Sequence, residues 1–486
     1  MSRGFLSNIL FVLLLNGLVK PIYLFWTERT VQLRVGTEAF GEYAALLGWG
    51  LILSILCDLG LTNYNTRSIA QAPESLSREM STLLVAKGGL SLGFAVLLLT
   101  GGYALGYDAA QLRILGHIAL NLVLLSFYLY FRSNVAALHH YRADGIASIT
   151  DKLLLIVACS YLFWSVPEGG FLIQHFLWAK TITLSLSAAG VLLYTLSVTD
   201  IRWVRVEWAR VGRTIRKGLP FALLILLMYI YTYSDIVMLE RLHPRGDYEA
   251  GAYYAAYRLL NALVMFGLLF TGILLPLFSR MLASRHRSEV SELAEHSFRL
   301  VFSVAIGAGV VGTFYAHDIM LALDPNATPY WSGILTGLLW SFPCIVVIHI
   351  YGTLLTAGNH LRALNAIAMS SVILNLLLNF YLIPRYGAHG AVYATVATQL
   401  MTALLQLVVV QRTLRAAPPW QLWLSALAYG VGLAILFYAL AGVEWAFYLK
   451  LLPAAVLAIP IAWATRLLSR HSLEVMLAAG RERLQK

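Results

Sequence analysis

"LLMYIYTYSDIVMLERL", residues 226–242, is an apolar, aromatic-rich run with one carboxylate, Asp235, near its middle. Runs of this kind recur along the chain, and about 20 apolar residues wound as a helix cross the hydrocarbon of a bilayer. The 486 residues are 59% hydrophobic and only 12% charged, where a soluble domain carries roughly a quarter charged residues. The apolar surplus therefore calls for lipid rather than a larger core. The runs are continuous instead of alternating, which favours helices over a β-barrel. The expected fold is an all-α polytopic membrane protein without a sizeable soluble domain.

Fourteen transmembrane helices fit, at roughly 6–26, 39–60, 81–104, 112–133, 146–165, 171–196, 219–240, 251–278, 298–316, 330–356, 364–383, 388–410, 421–441 and 446–467. The first is read as retained rather than cleaved, because Asn16 and Lys20 interrupt its apolar stretch and no small-x-small site follows. The two ends of the chain and every second connection hold 21 Arg and Lys, and the alternate connections hold 6. Positive residues stay cytoplasmic, so both termini are expected inside. The net charge of +11 is then mostly a topology signal, not a nucleic-acid patch. "IRWVRVEWARVGRTIRKG" (201–218) reads as a basic, Trp-bearing helix lying on anionic lipid. Cys57, Cys159 and Cys344 fall far apart in apolar runs, as small core residues do, and lack metal-ligand spacing.

"VGTEAFGEYAAL" (35–46) returns as "RGDYEAGAYYAAY" (245–257): Gly36, Gly41, Tyr43 and Ala45 recur as Gly246, Gly251, Tyr253 and Ala255, each 210 residues on. The repeat predicts two six-helix lobes of like orientation, 1–198 and 219–412, joined by the basic interfacial linker 199–218. Two further helices in 413–467 and a cytoplasmic tail, 468–486, complete the chain. Parallel repeats place a substrate cavity between the lobes near the midplane.

An ionisable group in the bilayer core costs about 2.5–3.5 kcal/mol and so faces protein or water. Lys20, Asp58, Lys87, Arg132, Asp151, Lys152, Lys180, Asp235 and Arg258 are groups of this kind. For groups such as Asp58, Arg132 and Lys180, snorkelling to an interface and a buried role stand equally open, whereas Lys20 and Asp235 lie deeper. Lys20 shares a helix face with Asn16 and Thr27, a polar stripe that Glu28 and Arg29 continue. Asp235 has two sets of candidate partners. One is Arg258, with Tyr254 and Asn261 on its face. The other is a pair of polar seams on consecutive helices, Ser371, Asn375 and Asn379 facing Thr395, Gln399, Thr402 and Gln406. Such seams serve either as interhelical hydrogen bonds or as a cation site in which one carboxylate joins amide and hydroxyl oxygens.

"FGEYAALLGWGLILSILCDLGLTNYNTRSIA" (40–70), "GLPFALLILLMYIYTYSDIVML" (218–239), "GAYYAAYRLLNALVMF" (251–266), "LLPLFSRML" (274–282) and "LNLLLNFYLIPRYGAHGAVYATVATQ" (374–399) together resemble the polysaccharide transporter family of the MOP exporter superfamily. These are flippases of lipid-linked oligosaccharide of the O-antigen and exopolysaccharide kind. The resemblance covers about residues 5–412. It implies fourteen helices, two lobes and alternating access, and a multi-pass protein of the bacterial cytoplasmic (inner) membrane. The implied cargo is undecaprenyl diphosphate carrying a short glycan, moved from the cytoplasmic to the outer leaflet. The implied partners are this polyprenyl-diphosphate-linked glycan, membrane lipid, polysaccharide polymerase and glycosyltransferases, with no nucleic acid.

The resemblance to lipid II flippases within the superfamily implies a Na+ site at Asp235, Asn375, Asn379 and Thr395. Asn379 stands where those relatives carry Asp, which removes one negative charge and leaves Na+ and H+ both open as the coupling ion. No other cofactor is implied. For the diphosphate, Arg29 with Glu28 resembles the relatives' pair near the outer end of helix one. Lys20, Arg67, Lys87, Lys152 and Arg258 follow, because Arg and Lys bind diphosphate oxygens through charge-assisted hydrogen bonds. A multidrug-type exporter of the same superfamily is the alternative, and it calls for acidic rather than basic cavity residues. A membrane polymerase or ligase is the third reading. It needs a large outer loop, whereas the longest outer connection, "HDIMLALDPNATPY" (317–330), holds Asp318 and Asp324 without a base, nucleophile or metal cluster. No phosphate-binding glycine loop supports ATP hydrolysis. A transporter, not an enzyme, is expected.

Overall fold

The computed structural model describes residues 15–71, 76–138, 140–199, 208–284, 287–442 and 447–468, and among them all regular structure is helical. Hydrocarbon offers backbone amides no partner, so a spanning segment must satisfy them within itself. Helix α1 (15–35) contains the π-helical stretch Tyr23–Glu28 and is followed by α2 (Thr37–Leu53), α3 (Leu61–Gln71), α4 (Leu76–Ala104), α5 (Ala109–Ala137), α6 (Tyr141–Ser165) and α7 (Ile173–Val198). The remainder comprises α8 (Trp208–Leu242), α9 (Gly246–Ala283), α10 (Arg287–Leu323), α11 (Pro329–Ala357), α12 (Leu361–Tyr386), α13 (Ala388–Thr413), α14 (Trp420–Ala441) and α15 (Phe447–Ala464). Among the described residues, each expected span overlaps one of these helices. Ten of them are long and apolar enough to cross a membrane by length and composition.

The helix without an expected span is α3. A 3-10 turn, Ser54–Cys57, ends α2, and the chain reverses through Leu59 and Gly60, both with positive φ. The Asp58 carboxylate then accepts the Thr62 amide at 3.2 Å, which caps the first turn of α3. Residues 201–207 of the basic stretch, and the expected tail beyond 468, lie outside the described residues. From Trp208 the backbone already belongs to α8.

Two compact units divide the chain, Ser2–Gly251 and Ala252–Lys486 with Met1. Within the first, α5 packs on α4 and α7, and α6 on α7. Within the second, α11 packs on α10 and α13, and α12 on α13. The same pairs recur six spans later, so the repeat is present in the packing. Helix α14 lies on α10 and α15 on α14.

In the first unit α8 packs on α2. Gly41 and Gly48, seven residues apart on α2, give it a smooth face of the kind that lets membrane helices approach closely. A Cβ on Gly48 would stand 2.9 Å from Ile236 Cγ2. A Cβ on Gly41 would stand 1.9 Å from the Asp247 carbonyl oxygen, and one on Gly251 2.2 Å from the Thr37 carbonyl oxygen. Asp247 is the repeat counterpart of Thr37, and Gly251 that of Gly41. The contact is thus reciprocal, as across a two-fold axis: each copy of the motif sets its glycine against the backbone of the other.

Polar contacts fasten the same end of the unit. Gln32 Nε2 donates to the Gly251 carbonyl at 3.3 Å. The Arg241 guanidinium lies 3.6 Å over the Tyr107 ring and 2.9 Å from Glu240, to which the Tyr107 hydroxyl donates at 3.4 Å. Arg34 donates to the carbonyls of Phe163 and Val166 at 2.8 and 3.0 Å. Burial, with the Glu38 charge beside it, holds the Asp247 carboxyl above the ordinary aspartate range.

Gly41→Leu fills space already occupied by backbone, so it is expected to part the two copies of the motif. In protein freed of its native cysteines and spin-labelled at Glu38→Cys and Pro244→Cys, the inter-label distance should lengthen and broaden in Gly41→Leu. An unchanged distribution would mean that the glycine contact does not hold this end together.

Candidate functional site

Helix α1 is exposed along Leu18, Ile22 and Trp26, four residues apart, as a lipid-facing stripe should be. Its other face is polar and turned into the unit. Asn16 Nδ2 donates to Ser148 Oγ of α6 at 2.8 Å, Thr27 is fully buried, and the Tyr23 hydroxyl donates to Glu28 Oε1 at 2.7 Å. The π-helical stretch Tyr23–Glu28 widens the helix here, a distortion found often at functional positions.

Helices α6 and α7 bring further charges to this face. The Lys152 ammonium lies 4.6 Å over the Tyr23 ring and 3.2 Å from Asp151 Oδ2. The charges acting on Lys20 are those of Lys152, Arg132 and Asp151, and those acting on Lys180 include Glu28 and Asp151. Lys20, Lys152 and Lys180 therefore share one field with two carboxylates, Glu28 and Asp151. A cavity of about 90 Å³ opens beside them, lined by Tyr43, Asn121, Asp151, Lys152, Lys180 and Thr183 among leucines. The arrangement offers net positive charge, hydroxyls and an amide within a span, which suits an anionic, hydroxylated ligand.

Of the expected anion-binding residues, Lys20, Glu28 and Lys152 thus fall in one cluster, and Arg29 follows directly on α1, half-buried. Lys87 lies apart and is fully buried, with its ammonium 2.5 Å from Asp58 Oδ1 and 2.8 Å from Ser126 Oγ. That pair pins the break between α2 and α3 and leaves Lys87 no exposed surface in this conformation. Arg258 belongs to the second unit, where it is buried and lies 5.7 Å over the Tyr254 ring. The side chain of Arg67 falls outside the described residues.

Asp235, 5% exposed, sits in the first unit, whereas Asn375, Asn379 and Thr395, all buried, sit in the second. Asn379 Nδ2 donates to Asn375 Oδ1 at 3.1 Å. Ser371 and Thr402 share a 2.6 Å hydrogen bond that ties α12 to α13. Part of the polar seam is therefore interhelical bonding. Among the described residues no three His, Cys, Asp or Glu side chains gather as a metal site.

The sequence profile described as "Polysaccharide biosynthesis protein" matches residues 5–282, more than half of the chain. The chain belongs to the polysaccharide biosynthesis protein family. This places it among the membrane transporters of the MOP superfamily, not among enzymes, and the MatE profile matches residues 220–381. A curated relative from Shigella dysenteriae, named "Putative O-antigen transporter", is 24% identical over 425 residues, covering 82% of this chain and 98% of its own. Lipid II flippase MurJ in an inward closed conformation superposes with a TM-score of 0.70 at 12% identity, covering 94% of this transporter and 98% of MurJ. An inward-facing multidrug resistance MATE family transporter of the MOP superfamily gives 0.60 at 12% identity, covering 81% and 94%. The fold of the polysaccharide transporter is thus shared across flippases and drug exporters.

Two residues of this transporter's cluster, Lys180 and Tyr43, stand outside the anion-binding set expected from sequence. The signal for Lys180 is an ammonium in the apolar run "FLWAKTITL", and that for Tyr43 is its recurrence as Tyr253. Their convergence is a product of the fold.

Because Lys87 and Asp58 answer each other inside the packing, Asp58→Ala should destabilise the protein by about 3 kcal/mol, as removal of one partner strands a buried charge. Replacing both, as Asp58→Leu with Lys87→Met, should recover most of that loss. Thermal unfolding in detergent reads both changes. Equal Tm values for wild type and Asp58→Ala would remove the pair from the structural account.

Proposed function

We propose that this transporter is a flippase. It carries undecaprenyl-diphosphate-linked oligosaccharide repeat units from the cytoplasmic to the outer leaflet of the bacterial inner membrane, for assembly of a surface polysaccharide such as O-antigen. The observation that carries this reading is the cavity that Lys152 and Lys180 line within the spans, with Lys20 in the field of Lys152. An anionic headgroup offsets the cost of those charges, and a cationic drug would add to it. The lysine excess thus favours glycolipid over the drug cargo of multidrug relatives. The family and the O-antigen relative support the same reading.

The charge distribution supports cytoplasmic termini. The reciprocal glycine contact then lies on the outer side of the first unit. Cargo enters from the cytoplasmic leaflet, its lipid tail stays in the bilayer, and rocking of the two repeats exposes the headgroup outward. The glycan then passes to the polymerase that consumes it. A Na+ or H+ at Asp235, with Asn375, Asn379 and Thr395, drives the cycle if it binds one state more tightly than the other.

Deleting the chain in its host should accumulate lipid-linked glycan on the cytoplasmic leaflet, and Lys20→Ala combined with Lys152→Ala should fail to relieve it. Full relief by that double variant would refute cargo binding by the cluster. Asp235→Ala should lower transport at least tenfold. Recovery in Asp235→Ala combined with Arg258→Ala would assign Asp235 to an ion pair and rule out the coupling site.

A further inference from the structure

Lys152 and Lys180 differ in how their charges are answered. Lys152 stands 3.2 Å from Asp151. Among the described residues no carboxylate lies within ion-pair distance of Lys180. Its ammonium has one hydrogen-bonding neighbour, the Tyr43 hydroxyl at 3.4 Å, although it carries three donors. Glu28 and Asp151 act on it only from further off. An ionisable side chain so placed in a span is a functional group by default.

The neighbours of Lys180 hold it in place without neutralising it. Asn121 donates through Nδ2 to the Leu177 carbonyl at 3.2 Å and accepts from Thr181 Oγ1 at 2.7 Å, which locks α5 to α7 one turn before the lysine. Thr183 Oγ1 donates to the Lys180 carbonyl at 3.2 Å. The Tyr43 ring is wedged edge-on against Phe40 and Phe176. The cavity in front of Lys180 has about 90 Å³ and is lined also by Asn121, Lys152 and Thr183, so it has room for an oxyanion beside the ammonium.

We infer that this cavity is an oxyanion subsite, in which Lys180 and the Tyr43 hydroxyl hold one carboxylate- or phosphate-sized group of the cargo. The inference rests on the flippase reading and adds to it a position on α7, beside the polar face of α1. It also separates the two units. Helices α7 and α13 are both 26 residues long, and Lys180 and Thr395 are each the eighth residue. Where the second unit presents a hydroxyl, the first presents a lysine side chain. Two parts of a glycolipid supply such an oxyanion, the diphosphate of the carrier and the carboxylate of an acidic sugar.

The test uses the full chain in nanodiscs of zwitterionic lipid. Binding is measured for two short-chain polyprenyl diphosphates, one bearing a neutral hexose and one bearing a uronic acid. Wild type should bind at least one. Lys180→Met should weaken binding at least tenfold, and Lys180→Arg should stay within about threefold of wild type. An equal loss for both probes identifies the diphosphate as the group held, and a loss for the uronate alone identifies the sugar carboxylate. Wild-type affinity in Lys180→Met overturns the subsite while leaving the flippase reading intact. Failure of wild type to bind either probe overturns both. Should Lys180→Met not fold, Lys180→Gln replaces it, read by the probe-induced rise in Tm. A rise equal to that of wild type overturns the subsite, and its loss in Gln with retention in Arg supports it.

Discussion

Hydrocarbon supplies no partner for a charge, and this constraint orders the polar side chains of the first unit. Lys87 is tolerated at full burial because Asp58 and Ser126 receive its ammonium. Lys152 is tolerated beside Asp151 and above the Tyr23 ring. Arg132 pairs with Asp144 at 3.0 Å. Where the constraint is met within the protein, the group serves architecture, as at the break between α2 and α3. Where it is met incompletely, as at Lys180, a binding energy is held ready for something that arrives from outside.

Fixed packing and stored charge lie close together. Tyr43 belongs to the repeated motif that contains Gly41, and its hydroxyl reaches Lys180. Gly48, two turns beyond Gly41 along α2, receives Ile236 of α8. Side chains on α2 therefore connect the close glycine contact at one end of the unit with the cavity wall between α5, α6 and α7. A shift of α2 relative to α8 moves the Tyr43 hydroxyl with it.

Much of the architecture was legible in the sequence. Apolar length located the helices because membrane spans obey a single length rule, and the 210-residue displacement of Gly36, Gly41, Tyr43 and Ala45 disclosed the repeat. Helix α3 was not legible, because its residues carry too little apolar character to stand out and its start depends on a capping carboxylate. The site was legible by residue type and not by arrangement. Composition marked Lys20, Lys87, Lys152 and Lys180 alike as costly. Whether each is paired depends on contacts such as Lys87 with Asp58, 29 residues apart, and Lys180 with Tyr43, 137 apart. Helical periodicity relates residues only within one helix and cannot report such distances.

The reciprocal packing of Gly41 and Gly251 has an evolutionary corollary. A surface that fits its own copy can join two identical chains as readily as two segments of one chain. A single six-helix chain bearing this motif would present the same surface to a second copy, and fusing the two would need only a linker. Two such halves could then carry different side chains on α7 and α13, as Lys180 and Thr395 do, provided both glycines stayed.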